Sequence, residues 1–301
     1  MKRILDICCD TYGCGYLHDL EFKRTAAFPK GTGISSIRRS LFLQCLFPSP
    51  VGAVDQGPYP VVVFVPGGAW RSPQVRFRIP FLVPLALRGI LVFMVEYRGC
   101  ELFSCEDATA DVRSAIRYVR AHAAEYGGDP NNIFLMGESA GAHLAMLAAY
   151  GGSRFDDPTD DMNVSANVNG ILDLYGPTDC GGEVAAEHFK SLPDEKALAH
   201  PMAILTRGYV RSQFFHRLEA ISPLRYVSND SPPTLIAHGE KDQIVSIRHA
   251  DALHDSLMAE DLPVEYYCVQ GATHGDWRFY ETVMMDRYAA FIRAHTQKRP
   301  D

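Results

Sequence analysis

IFLMGESAGAHLAMLAA, residues 133–149, decides the fold. Ile133 to Met136 read as a short buried strand. The chain then enters Gly137-Glu138-Ser139-Ala140-Gly141 and passes directly into a helical pattern. A serine on a sharp strand-to-helix turn, with glycine two places away on either side, is the arrangement that an exposed, strained nucleophile requires. The glycines let neighbouring elements pass close by. The helix N-terminus offers free N–H groups and partial positive charge to an anionic intermediate. Ser139 is therefore the candidate nucleophile.

Outward from this turn, short apolar segments alternate with helical patterns. Strands are predicted at 61–65, 90–95, 132–136, 169–175, 234–238 and 264–269. They are rich in Val and Ile and apolar on both faces, as in a covered parallel sheet. Helices are predicted at 106–124, 139–150, 247–259 and 277–296. The alternation implies crossover units, hence an α/β fold with a doubly wound, mostly parallel sheet and helices on both faces. Residues 1–57 read as an irregular N-terminal segment with one strand, SLFLQCLF, before Pro48. Residues 177–230 separate two strands by far more than an ordinary connection. They read as an insertion with helical pieces AAEHFKSL and RSQFFHRLEAIS, either a cap or a structural excursion. Phe189, Tyr209, Phe214 and Phe215 in it line a pocket or form its own small core. The whole, 1–301, is expected to be one domain.

A serine hydroxyl needs a base. For this turn the expected chain order is Ser, then Asp or Glu, then His. Of the 11 histidines, His274 in CVQGATHGD follows the last strand, where a base can swing over a strand end. Asp242 in LIAHGEKDQIV follows the preceding strand, where it can orient an imidazole. Glu240 competes with Asp242, and Asp276 follows His274 too closely to orient it well. His143, one helical turn beyond Ser139, is expected to face core or sheet, and His238 to pack at a strand end. His188 and His216 in the insertion read as surface residues or pocket lining. An oxyanion needs backbone donors: the amide of Ala140 is one candidate, and the loop PGGAW (66–70) after the first parallel strand is in place for others.

With PGGAW, VEYRG, DVRSAIRYVRAHAAEYGGDPNNI, GESAGAHLA, HGEKDQIV and THGD together, the chain resembles α/β-hydrolase carboxylesterases. It lies near the hormone-sensitive-lipase-like and the bacterial feruloyl and acetyl-xylan esterase-like groups. The resemblance spans roughly residues 58–280 and implies Ser139 as nucleophile, His274 as general base and acid, and Asp242 as its orienting carboxylate. It implies an oxyanion hole from the Gly68, Ala69 and Ala140 amides with Gly67 supporting the loop. Trp70 and Glu138 are its substrate-site candidates, although Trp70 can equally be a core aromatic. Pro66 departs from the pattern, since relatives carry histidine there. Proline has neither an N–H nor a side-chain hydrogen bond, and it restricts Val65 to extended geometry.

The function implied is hydrolysis of short-acyl or aromatic and carbohydrate esters, with no cofactor and no metal. A peptidase or amidase of the same fold, or a non-catalytic binding protein on this scaffold, are the alternatives. The net charge of −7 and scattered basic residues speak against a nucleic-acid partner. No apolar run reaches the length of a membrane span, and Asp6 and Asp10 interrupt any secretory leader. The eight cysteines show no CxxC pair, which fits reduced thiols and a cytoplasmic location rather than a metal site at Cys8, Cys9 and Cys14.

Overall fold

A computed structural model describes residues 11–29, 32, 36–182, 184, 201–206 and 211–297. Eight strands form one sheet in the order β1-β2-β4-β3-β5-β6-β7-β8. The strands are β1 (Thr11–Ala26), β2 (Arg38–Val51), β3 (Tyr59–Val65), β4 (Leu91–Val95), β5 (Gly128–Glu138), β6 (Gly170–Leu174), β7 (Thr234–Gly239) and β8 (Val264–Val269). From β4 to β8 every pairing is parallel, and β2 joins β4 antiparallel. The six parallel strands are those expected from their apolar runs. The N-terminal expectation needs correction, because the segment is a long antiparallel pair. β2 contains SLFLQCLF, and β1 pairs along its length with register shifts at Leu17/Leu20 and Glu21/Lys23. Its glycines Gly13 and Gly15 and its charged residues disguise it as loop.

The helices are α1 (Ile79–Ala86), α2 (Cys105–His122), α3 (Ala140–Tyr150), α4 (Phe214–Ala220), α5 (Arg248–Ala259) and α6 (Thr282–Ala294). Ser104 caps α2, accepting from the Asp107 N–H while the Asp107 carboxylate accepts from the Ser104 N–H. The helix predicted at 277–296 begins only at Thr282, after a 3-10 turn capped by the Asp276 side chain. Pro80 and Pro84 hid α1 from the sequence reading. Successive residues of β3 point to opposite faces. Val61, Val63 and Val65 pack with α2 and α3, whereas Val62 and Phe64 pack with α1 and α6. That two-sided burial explains the unbroken apolar strands.

In the described part of the insertion, Phe214 and Phe215 pack into the core that α2 and α3 share, and His216 is exposed. His188, Phe189 and Tyr209, like Cys8, Cys9 and the piece AAEHFKSL, lie outside the described residues. None of the described helices is long and apolar enough to cross a membrane.

Charge ties the N-terminal pair to α2. Asp111 on α2 is fully buried and accepts from the Arg98 N–H and guanidinium at 2.7 to 3.0 Å. Lys23 of β1 reaches Asp111 at 3.0 Å and Asp157 at 2.7 Å. Removing one member of such a network leaves buried charges unmatched. Asp111→Ala should lower unfolding free energy by about 3 kcal/mol in urea titrations; a change under about 0.5 kcal/mol would show the network to be dispensable.

Asp173 of β6 is also fully buried, and it shares a sheet face with His238 of β7 through the pairing of Asp173 with Ile236. Its Oδ1 accepts the Gly176 N–H at 2.9 Å, and its Oδ2 has no hydrogen-bond partner among the described residues. Burial pushes its carboxyl up to about 7, against the opposing pull of His238. A carboxyl that keeps its proton in the fold stabilises fully below the unfolded value and loses that contribution as pH rises through the folded one. Asp173→Asn keeps the Oδ1 acceptor and abolishes the titration. The mutant should therefore gain on wild type between pH 5 and pH 7 by roughly 2 to 3 kcal/mol. Urea titrations at the two pH values check this, and an unchanged gap refutes it.

Candidate active site

The site is built where β3 and β5 end side by side. Val65 pairs with Gly137, so the loop after β3 and the turn after β5 leave the sheet as neighbours. The chain order reverses across this pair, with β4 on one side of β3 and β5 on the other. Such a switch point leaves a crevice at the carboxyl ends of the strands. Ser139 sits in the turn at φ 51°, ψ −124°, a strained conformation for a side-chain-bearing residue. Both flanking glycines are required by packing. A Cβ on Gly137 would lie 2.6 Å from the Ala142 Cα, and one on Gly141 would lie 2.1 Å from the Val65 carbonyl oxygen. α3 can start this close to β3 only without those atoms.

Three residues from three strand ends meet. Ser139 Oγ lies 2.8 Å from His274 Nε2, and His274 Nδ1 lies 2.7 Å from Asp242 Oδ2. The Asp242 contact places the ring proton on Nδ1, so Nε2 presents a lone pair to the serine hydroxyl. Asp242 Oδ1 accepts the N–H groups of Ile244 and Val245, both at 2.9 Å. Burial alone would push this carboxyl up. Hydrogen bonds from His238, His274 and the Val245 N–H outweigh it and hold Asp242 well below the usual carboxylate range. The competitors are turned elsewhere: Glu240 accepts the Gly271 N–H, and Asp276 accepts from Thr273 and Arg278.

The loop 66–70 is also strained, with φ at +133° for Gly68, 53° for Ala69 and 58° for Trp70. The amides of Gly68, Ala69 and Ala140 have no hydrogen-bond partner among the described residues. The Gly67 amide, expected from sequence to support the loop, differs: it donates to Glu138 Oε1 at 3.1 Å. Its part is support. Tyr97 supplies a second tie by donating to the Pro66 carbonyl at 3.0 Å. The loop is thus held by backbone groups, and the missing histidine side chain at position 66 is not needed to anchor it.

Glu138, expected from sequence to contact substrate, is 2% exposed and already matched. Besides the Gly67 N–H it takes Arg78 Nε at 2.5 Å, Tyr175 Oη at 2.9 Å and Tyr280 Oη at 2.5 Å. Burial and the neighbouring carboxylate push both tyrosines well above their usual range, which keeps them protonated donors. Tyr175 also stands edge-on to the His274 ring at 5.0 Å between centroids. Glu138 is therefore a supporting wall that links the loop, Arg78 and the packing of His274. Trp70 combines both sequence readings. It borders the cavity, yet its Nε1–H donates to His143 Nδ1 at 3.1 Å. His143 Nε2 is 2.8 Å from the Ile221 carbonyl, so this core histidine has both nitrogens committed.

A cavity of about 330 Å³ opens here, bordered by Gly67, Gly68, Ala69, Ser139 and His274 among others. Arg78, Tyr175 and His249 line it without having been singled out from sequence. Only Tyr175 carried a signal, as the last residue of a predicted strand.

Residues 51–257 match the family model described as BD-FAE. Among curated proteins, the chain is 31% identical over 216 residues to a probable carboxylic ester hydrolase, LipM, of Mycobacterium tuberculosis, covering 70% of this chain and 48% of that one. It is 30% identical over 223 residues to a probable isoprenylcysteine alpha-carbonyl methylesterase, ICMEL1, of Arabidopsis thaliana, covering 73% and 46%. The chain thus spans about half the length of the curated relatives it matches. Among solved structures, a truncated carbohydrate esterase from gut microbiota superposes with a TM-score of 0.76 at 21% identity, over 95% of this chain and 97% of that one. Esterase 2 of Thermogutta terrifontis in its apo form superposes with a TM-score of 0.69 at 24% identity, over 87% and 92%. The strand-end geometry, the shared fold and the family match agree: the chain belongs to the BD-FAE family of α/β-hydrolases.

Proposed function

We propose that this protein hydrolyses carboxylic esters through an acyl-enzyme, with Ser139 as nucleophile, His274 as general base and acid, and Asp242 as orienting carboxylate. The observation that carries the reading is the unbroken string Ser139–His274–Asp242 at 2.8 and 2.7 Å, beside a cavity bordered by Gly68 and Ala69, whose amides have no partner among the described residues. His274 Nε2 takes the Ser139 proton as Oγ attacks the ester carbonyl. Asp242 stabilises the imidazolium without taking its proton. Amides of Gly68, Ala69 and Ala140 receive the oxyanion. His274 then returns the proton to the leaving alcohol and deprotonates the water that cleaves the acyl-enzyme.

The volume of about 330 Å³ is at the small end for ligand pockets and favours a short acyl or compact alcohol group. The names of the curated relatives favour esters over amides. In this reading residues 1–301 form one catalytic domain, with Pro177, Pro201 and Met202 of the 177–230 segment capping the cavity. The described cysteines are free thiols, which supports a cytoplasmic enzyme.

A panel of short-acyl nitrophenyl esters and matching anilides tests the activity. Turnover of esters without anilide cleavage is expected, and Ser139→Ala or His274→Ala should each lower kcat by at least about ten-thousand-fold. Ester turnover that survives in Ser139→Ala, or a wild type that a fluorophosphonate fails to label, refutes the mechanism.

The loop makes a separate prediction. No atom lies within 4 Å of the place a Gly68 Cβ would occupy, so the obstacle to a side chain there is its φ of +133°. Gly68→Val should leave the fold intact and cost roughly a hundredfold in kcat/KM as the loop relaxes. Wild-type turnover in a folded Gly68→Val would exclude this loop as the oxyanion donor.

A further inference from the structure

His249, the second residue of α5, is 6% exposed and borders the same cavity as Ser139 and His274. Its ring is held from one side. Nδ1 accepts the N–H groups of Thr178 and Asp179, each at 3.2 Å. Thr178 Oγ1 donates to the His249 carbonyl at 2.7 Å and fixes the backbone beneath the ring. With two donors aimed at Nδ1, that nitrogen carries a lone pair, and the proton of the neutral ring is on Nε2. Burial pushes the imidazolium down to about 3, aided by His238, His143 and Arg248 against Asp242, so the ring is neutral through the neutral pH range.

The hydrogen bonds of the ring to the described residues all go through Nδ1, and none engages Nε2–H. The same cavity is also lined by the apolar side chains of Pro177, Met202, Ile244 and Val245. A donor on such a cavity is available to an acceptor that enters it. Among the described lining residues Arg78 is the one Lys or Arg, and Glu138 already opposes its charge. Among its described residues the cavity therefore offers a neutral donor and no cation without an opposing carboxylate.

We infer that His249 Nε2–H is a specificity-determining contact, which favours esters with a second, neutral acceptor oxygen (ether, carbonyl or hydroxyl) over their hydrocarbon equivalents. The inference rests on the ester hydrolysis proposed above. No hydrogen bond joins His249 to Ser139 or His274, so it acts by holding one arm of the substrate.

Pairs of esters that differ by one CH2-to-oxygen exchange test this: nitrophenyl butyrate against methoxyacetate for the acyl arm, butyl acetate against 2-methoxyethyl acetate for the alcohol arm. Each pair is measured on wild type and on His249→Asn, whose Oδ1 can still accept from Thr178 and Asp179 but whose amide does not reach the place of Nε2. Comparing enzymes cancels the intrinsic reactivity of each ester. The variant should lose about tenfold more kcat/KM on the oxygen-bearing member of at least one pair than on its hydrocarbon twin. Equal losses in both pairs mean a structural role and overturn the inference. Wild-type turnover of the hydrocarbon esters reports separately on ester hydrolysis, so failure of that reading is seen there first. A second measurement needs only wild type. With Ser139 labelled by phosphonates bearing a butyl or a 2-methoxyethyl arm, the Nε2–H proton resonance of His249 should move downfield for the 2-methoxyethyl adduct alone. The same resonance position in both adducts overturns the inference.

Discussion

Val65 lies opposite Gly137, and the site depends on that pairing. It brings the end of β3 and the end of β5 to one level, so a strained serine and a strained loop emerge side by side. Gly141 completes the constraint, because the first turn of α3 abuts the Val65 carbonyl at a distance that a single methyl group would violate. One parallel register and two missing side chains thus align Ser139, the start of the helix and the loop amides. The other two members of the string arrive from β7 and β8, two and three strands along from β5, through loops at the same end of the sheet.

Pro66 shows how the loop manages without a polar side chain at its first position. The restraint is moved to neighbours. Glu138 grips the Gly67 N–H from below and Tyr97 grips the Pro66 carbonyl from the side. Glu138 can do this in a buried position because Arg78 matches its charge and two tyrosine hydroxyls fill its remaining acceptor sites. The residue between the first glycine and the serine is therefore a structural hub. Tyr175 extends the hub to the ring of His274, so the loop 66–70 and His274 share one support.

Much of this was legible in the sequence, for physical reasons. The parallel strands are buried on both faces and read as unbroken apolar runs. The string Ser139, Asp242, His274 follows from a chain order that strand-end loops impose. What was hidden depends on partners far away in the chain. β1 is a strand because β2 lies beside it, and neither its glycines nor its charges announce that. α1 carries Pro80 and Pro84 and forms where the sheet gives it a surface to cover. Arg78 and His249 belong to no motif. Each matters through a contact with residues dozens of positions away, Glu138 for the first and the Thr178–Asp179 backbone for the second.

His143 sits one turn into α3 with one nitrogen on Trp70 and the other at the Ile221 carbonyl. Trp70 ends the loop 66–70, and Ile221 lies in the stretch that leads the 177–230 segment back to the sheet. A single ring therefore works as a tie rod between Trp70 at the cavity and the chain at Ile221. Neither end can shift alone without stranding a buried donor or acceptor. Trp70 and the described chain at Ile221 are thereby coupled, and a displacement of one is felt by the other through the ring.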